Sequence, residues 1–233
     1  MNTIYKFIFV ALCVTFFSCN KDENLSTGAS SITSDGVLSG KIVDFVPNSI
    51  DSVKVLGSGN IGARKVLSSG DFTIGLSVPQ LSRSGNLSGV TLSDINAMTG
   101  SVSINTYLNN NFNGSIRKCN FDSLYINKAG MSYSMFVYSD RDFTMKGTHI
   151  ETGIRVDRTE KFTANYQVAL KKGWNELVTK VDLYTLTSNS LIQTQTVTNI
   201  ITPDLQWHFV KYDNSAVHGE LNGKVQVKWN MLF

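Results

Sequence analysis

The chain has 233 residues, of which 42% are hydrophobic and 17% charged, and it carries a formal charge of +3. That balance suits a globular, turn-rich body and excludes a highly charged disordered chain. Lys6 lies in a segment expected to be removed, so the remaining body is close to neutral and gives no electrostatic reason to expect nucleic acid as a partner.

The chain opens with MNTIYK, followed by the eleven-residue apolar run 7–17 and then Ser18-Cys19. Crossing a bilayer as a helix takes roughly 20 residues, so a run of this length reads as the core of an export signal instead. Residues 16–19, Phe-Phe-Ser-Cys, resemble a lipobox, with Phe16 where that motif prefers Leu. Asn20-Lys21-Asp22-Glu23 resembles the acidic export tag of Bacteroidota surface lipoproteins. The resemblance implies a signal peptide over 1–18, two or three acyl chains on Cys19, and an export tag of Lys21, Asp22 and Glu23. It places the protein at the outer membrane, lipid-anchored and facing the cell exterior. Each buried methylene contributes about 0.8 kcal/mol and one acyl chain holds only reversibly, so the anchor needs more than one chain. Residues 19–34 are then the lipidated Cys and a flexible tether of Ser, Thr, Gly and Asn. Cys13 leaves with the signal and Cys19 is lipidated, so only Cys119 remains, which precludes a disulfide within the mature chain. Cys119 reads as a small buried hydrophobe.

From Val37 onward, short apolar-alternating runs are broken by turn residues. Strands are expected over 37–45, 51–56, 61–67 and 72–76, with Phe72, Ile74 and Leu76 sharing one face by period two. Gly40-Lys41-Ile42-Val43, Asp51-Ser52-Val53 and Gly70-Asp71-Phe72-Thr73-Ile74 resemble the small Ig-like or carboxypeptidase-regulatory-like β modules of cell-surface proteins. Residues 79–100 are Ser- and Gly-rich and loop-like, with one helical turn expected over 91–97, capped by Ser93. Strands 102–108 and 115–120 read as a hairpin across 109–114. Residues 133–138, 139–142 and 143–147 read strand, turn, strand, and 161–170 with 174–184 read as a hairpin across Lys171-Lys172-Gly173. Further strands are expected over 191–201, 205–212 and 224–233. Residues 136–144 with 170–175 resemble a recurring pattern of uncharacterised Bacteroidota lipoproteins, which carries no known chemistry. The predicted fold class is all-β, an antiparallel β-sandwich forming one large or two small bodies. A module over 35–100 and a sandwich over 101–233 are the expected domains, the Gly/Ser-rich stretch 82–89 being the best boundary.

The chemistry-bearing residues are sparse. His149, expected in a hairpin loop, His208 and His218 have no metal-type spacing and read as surface histidines. No Gly-x-Ser-x-Gly elbow is present, and no pair of carboxylates is marked for glycoside chemistry. Asp140 and Asp142 read as a charged β-turn, because no Glu follows at calcium-loop spacing. Trp207 and Trp229 alternate with apolar neighbours and read as core. Trp174, after a Gly at a turn, is the candidate platform for stacking on a sugar ring or, equally, a plug for the end of the sandwich. The last strand superficially resembles the terminal strand of an outer-membrane barrel, but it reads as an amphipathic strand closing a sandwich. Asp51-Ser52-Val53 and Asp122-Ser123-Leu124 resemble the loose O-glycosylation pattern of the same bacterial group, which nominates Ser52 and Ser123.

No catalytic residue, metal site or cofactor is expected. The expected function is a lipid-anchored, non-enzymatic binding module for an extracellular glycan or protein. A structural or accessory lipoprotein that partners an outer-membrane complex is the alternative, and a hydrolase assembled from distant loops comes third.

Overall fold

A computed structural model describes residues 31–57, 64–66, 68–85, 87–121, 128–155 and 158–211. Among these residues every regular element is a β-strand. In chain order they are β1 (Val37–Lys41), β2 (Ser52–Leu56), β3 (Arg64–Lys65), β4 (Asp71–Gly75), β5 (Ser82–Arg83), β6 (Val90–Leu92) and β7 (Met98–Leu108). They continue as β8 (Asn111–Cys119), β9 (Ser132–Ser139), β10 (Phe143–Arg155), β11 (Arg158–Leu170), β12 (Gly173–Leu186), β13 (Ser190–Thr198) and β14 (Gln206–Lys211). The all-β, sandwich-type architecture expected from the turn spacing is the one observed.

β1 and β4 form a two-stranded sheet. The remaining strands follow the path β3-β2-β7-β8-β9-β12-β13-β11-β10-β6, with β14 added to β8 and β5 to β7, and the sheet does not close. Between the named strands all pairings are antiparallel except β11 with β13, and an isolated parallel bridge joins Ile42 to Trp207. Two long strands change partners along their length. β7 pairs with β9 over Thr99–Val102 and with β8 over Ile104–Leu108. β12 pairs with β9 up to Lys180, then passes a bulge between Val181 and Leu183 and continues along β13 alone. Bulges bend a strand and raise its twist, so they let one strand serve two sheets.

The strand pair β9–β12 is buried on both faces. On one face Phe136, Tyr138 and Trp174 join Leu38, Ile42, Phe72, Ile74, Ile104, Ile116 and Trp207 in one apolar cluster. There Trp207 stacks on Phe136 with centroids 5.6 Å apart, Phe72 meets Trp207 edge-on at 4.9 Å, and Tyr138 meets Trp174 edge-on at 5.6 Å. On the other face Val137 and Leu177 pack against Phe143, Met145, Val168 and Leu170 of β10 and β11. The β1–β4 sheet and the β10–β11 hairpin are therefore outer layers on a shared middle layer. The expected domain boundary at 100/101 falls inside β7, and the 35–100 strands share a core with Phe136, Trp174 and Trp207.

Three local expectations are corrected. Residues 91–97 do not form a helical turn. β6 occupies Val90–Leu92, the Ser93 hydroxyl accepts the backbone N–H of Thr144 (2.9 Å) instead of capping a helix, and Asp94 closes a turn by accepting the N–H of Asn96 (2.8 Å). The loop expected over 109–114 shrinks to Asn109-Asn110, whose φ angles of 51° and 62° are those of a tight hairpin turn, so β8 starts at Asn111. β11 and β12 are not a hairpin, because β13 lies between them. Lys171-Lys172 instead carries the chain from the outer to the middle layer, held by Asp142, which accepts the Lys172 N–H (2.7 Å) and the Lys171 ammonium (2.9 Å).

Close packing of the aromatic cluster makes a prediction. A Cβ on Gly40 would lie 2.3 Å from Trp207 Nε1, whereas one on Gly75 would meet nothing within 4 Å. Gly40→Ala should cost about 1–3 kcal/mol by overpacking, and Gly75→Ala should stay within about 0.5 kcal/mol. Equilibrium urea unfolding of the two variants checks the contrast.

Candidate functional site

Strands β7, β8 and β9 cannot lie side by side throughout, because β7 gives one half of its edge to each neighbour. β8 and β9 meet at a single described pair, Cys119 with Tyr133. The divergence leaves an open groove of about 580 Å³. Leu56, Val102, Ile104, Phe112, Ile116 and Phe136 supply its apolar walls, and Asn105, Ser115, Arg117, Lys118 and Ser134 supply its polar groups. Leu56 and Phe112 are about half exposed, so the mouth is partly apolar as well.

One end of the groove meets a buried ion pair. Lys118 Nζ lies 2.8 Å from Glu176 Oε1, and the two side chains are 8% and 1% exposed. The Ser134 hydroxyl donates to the same carboxylate oxygen at 2.6 Å, and the Ser31 backbone N–H donates to Oε2 at 2.7 Å. Three separate pieces of chain, the segment before β1, β8 and β9, thus converge on a carboxylate carried by a fourth, β12. Taking both charges out of water costs several kcal/mol each, and only such dense hydrogen bonding offsets it. Tyr133 also lines the groove, and burial pushes its phenol well above the ordinary tyrosine range. Burial likewise raises the Tyr166 phenol on β11.

The ion pair escaped the sequence reading, although a signal was present. Trp174, Glu176 and Val178 share a strand face, as do Ile116 and Lys118, so each charge sits at an alternation position that should be apolar. What alternation cannot give is that the two faces meet, since β8 and β12 are not neighbours in the sheet.

The residues singled out from the sequence do not gather at this groove. Trp174 is 8% exposed, edge-on to Tyr138 and covered by Gly36, where a Cβ would lie 2.6 Å from its indole nitrogen. It offers no open face for a sugar ring, which corrects the stacking expectation; the Gly before it turns the chain inward. Trp207 is core, as its alternation suggested. Ser52 is half-buried on β2, its hydroxyl donating to Asp51 at 2.7 Å, and that contact together with the Asn109 N–H holds the Asp51 carboxyl below the usual range. His149 is not in a loop. It lies midway along β10, with Nδ1 3.1 Å from the Ser88 carbonyl and Nε2 3.3 Å from Glu151. His208 is half-buried on β14, on the face opposite Trp207. Asp140 and Asp142 form the charged turn: Arg141 holds the Asp140 carboxyl low, and the Lys172 N–H with Lys171 does the same for Asp142. Cys119 is buried and donates to the Phe121 carbonyl. Cys19, Lys21, Asp22, Glu23, Ser123, His218 and Trp229 lie outside the described residues.

No protein-family model matches the chain, and no curated protein or solved structure matches it.

Two predictions follow from the charges around the groove. Glu176→Ala strands Lys118 away from its carboxylate and should cost roughly 3–5 kcal/mol, whereas Glu176→Ala with Lys118→Met should recover most of that loss; thermal unfolding of the single and double variants measures both. The raised tyrosines act at alkaline pH. A phenol whose folded pKa is raised stabilises the fold fully below its unfolded pKa of about 10, and that contribution is lost as pH rises beyond it. Phenolate absorbance of Tyr133 and Tyr166 should therefore develop together with the loss of β-sheet circular dichroism, not before it.

Proposed function

We propose that this chain is a lipid-anchored protein of the bacterial cell surface whose β body binds an extracellular glycan or protein without catalysis. The observation that carries the placement is the N-terminal order of groups: the apolar run 7–17, Ser18, Cys19, then the charged Lys21-Asp22-Glu23. Cleavage before Cys19 and acylation of its thiol would replace the apolar run with chains that insert in the membrane and hold the folded body outside it. Exposure at the outer surface rests on the resemblance of Lys21, Asp22 and Glu23 to an export tag.

The binding half of the reading is supported by the groove. Its walls are apolar, and its polar groups are hydroxyls, amides and two cations, Arg117 and Lys118. Such a lining suits an extended ligand that buries an apolar flank and offers hydroxyl or carboxylate oxygens to the polar side. The hydrogen bonds to Glu176 hold Lys118 and Ser134 in fixed positions, so a ligand meets a preformed surface.

The placement is tested by expressing the chain and a Cys19→Ala variant in a Bacteroidota host. The parent should incorporate labelled palmitate, partition with the outer membrane and be cleaved by protease added to intact cells. Cys19→Ala should lose the label and the membrane partition. A parent chain that stays unlabelled and cytosolic would sink the proposal. The binding half is read from glycan arrays and pull-downs, with Leu56→Asp and Arg117→Glu expected to abolish capture while leaving the unfolding midpoint unchanged.

A further inference from the structure

We propose that β10 is an association edge through which two copies of this chain join their sheets, antiparallel, about a two-fold axis at Thr152. The inference is independent of the lipid-anchor reading and of the groove.

β10 pairs with β11 along its whole length, but on its other side it has a partner only as far as Gly147, from β6. The backbone parity is set by two hydrogen bonds on that side: Ser93 N–H donates to the Thr144 carbonyl, and Thr148 N–H donates to the Gly89 carbonyl. Residues on one strand alternate the side to which both backbone groups point. The even-numbered residues of β10 therefore face away from β11, and the register with β11 continues without a shift to Arg155 opposite Arg158. Beyond Thr148, the backbone groups of Ile150, Thr152 and Ile154 point out of the sheet with no partner strand among the described residues.

The same residues share one face of the strand. Ile150 is 53% exposed and Ile154 is 84% exposed, the latter the most exposed large hydrophobic residue of the described chain. An edge of this kind invites pairing with another chain, and edges meant to stay single carry Lys, Pro or a bulge. Thr148 to Ile154 has no Lys, Pro or bulge; its one carboxylate, Glu151, lies on the face opposite the two isoleucines, 3.3 Å from His149 Nε2.

The sequence is self-complementary about Thr152. In an antiparallel pairing centred there, Ile150 faces Ile154 of the second copy, Thr152 faces Thr152, and Ile154 faces Ile150. All three are pairs in which both residues direct their backbone groups at the partner, so each pair exchanges two hydrogen bonds. On the exposed face the pairing makes two Ile–Ile cross-strand contacts, the kind of apolar pair that stabilises antiparallel sheets. On the opposite face Glu151 meets Gly153, so no like charges oppose one another and Glu151 finds room, a Cβ at Gly153 having nothing within 4 Å. Sliding the axis to His149 or Glu151 would enlist Thr148, whose N–H is already given to Gly89. An axis at Gly153 would pair only Thr152 with Ile154; the axis at Thr152 is the one that pairs all three of these residues with one another, and it gives an isologous, closed dimer instead of an open fibre.

The test is sedimentation velocity in a mild detergent on protein purified from cells expressing the complete chain, run across a concentration series. The parent should move from monomer to dimer as concentration rises, with slowed amide exchange at Ile150, Thr152 and Ile154. Thr152→Pro removes the donor at the axis, and proline is tolerated where an edge N–H faces solvent; it should be monomeric with an unchanged circular dichroism spectrum. Ile154→Lys, a charge opposite Ile150, should also be monomeric. Ile192→Lys changes an exposed residue of the inner strand β13 and should dimerise like the parent. A parent that remains monomeric at roughly 1 mM, where binding is worth only about 4 kcal/mol, overturns the proposal, as does a Thr152→Pro protein that still dimerises. A foreign extended peptide found on this edge in place of a second copy overturns it too.

Discussion

Burial of one strand pair on both of its faces organises this molecule. β9 and β12 alternate apolar residues toward two different cores, with Phe136, Tyr138 and Trp174 to one side and Val137 and Leu177 to the other. A strand pair wet on one side needs a single covering layer. A pair apolar on both sides needs two. The β1–β4 sheet with Trp207 supplies one cover and the β10–β11 hairpin the other, so the first core joins elements from both ends of the described chain while the second closes with residues from its middle.

The groove is a consequence of that constraint. β7 must join β9 in the middle layer and also carry β2 and β8 around the aromatic core, and a single strand edge cannot serve both neighbours along its whole length. Where β8 and β9 part, backbone and side chains are left facing a gap that no strand of the described residues fills. The Lys118–Glu176 pair stands beside this gap and ties β8 to β12, two strands that do not pair. It trades stability for position: an apolar pair of similar volume would hold the layers at least as well, but it would not fix a cation and a hydroxyl at the groove. A rigid, preformed lining is what a binding surface needs, and it coincides with the part of the molecule where the sheet's own geometry leaves space.

The far end of the β10–β11 hairpin follows a different logic. It projects past β6, and β10 loses its apolar inward pattern there, with Glu151 and Gly153 on the inward-facing positions, while β11 keeps Phe162 against the core opposite Glu151. The hairpin is therefore built in two parts, a proximal part that covers the middle layer and a distal part whose edge and outer face remain available. Among the described residues, neither the groove nor this edge is built on Trp174, Trp207 or His149, which are engaged in packing or in local hydrogen bonds.

Much of the secondary structure was legible because strand alternation and turn chemistry are local. Phe72 and Ile74 point inward together as period two requires, Trp207 alternates into the core, and the Asp140–Asp142 turn lies between two strands. The amino-acid sequence by itself determined the all-β class, the short-strand rhythm and the N-terminal pattern of an apolar run before a cysteine. Tertiary structure alone decided that β13 inserts between β11 and β12, that Trp174 turns inward beneath Gly36, and that Lys118 meets Glu176. The physical reason is range. Alternation tells which side of a strand is apolar, but the partner of each edge is chosen by contacts between segments tens of residues apart, and in β proteins those non-local pairings carry the fold.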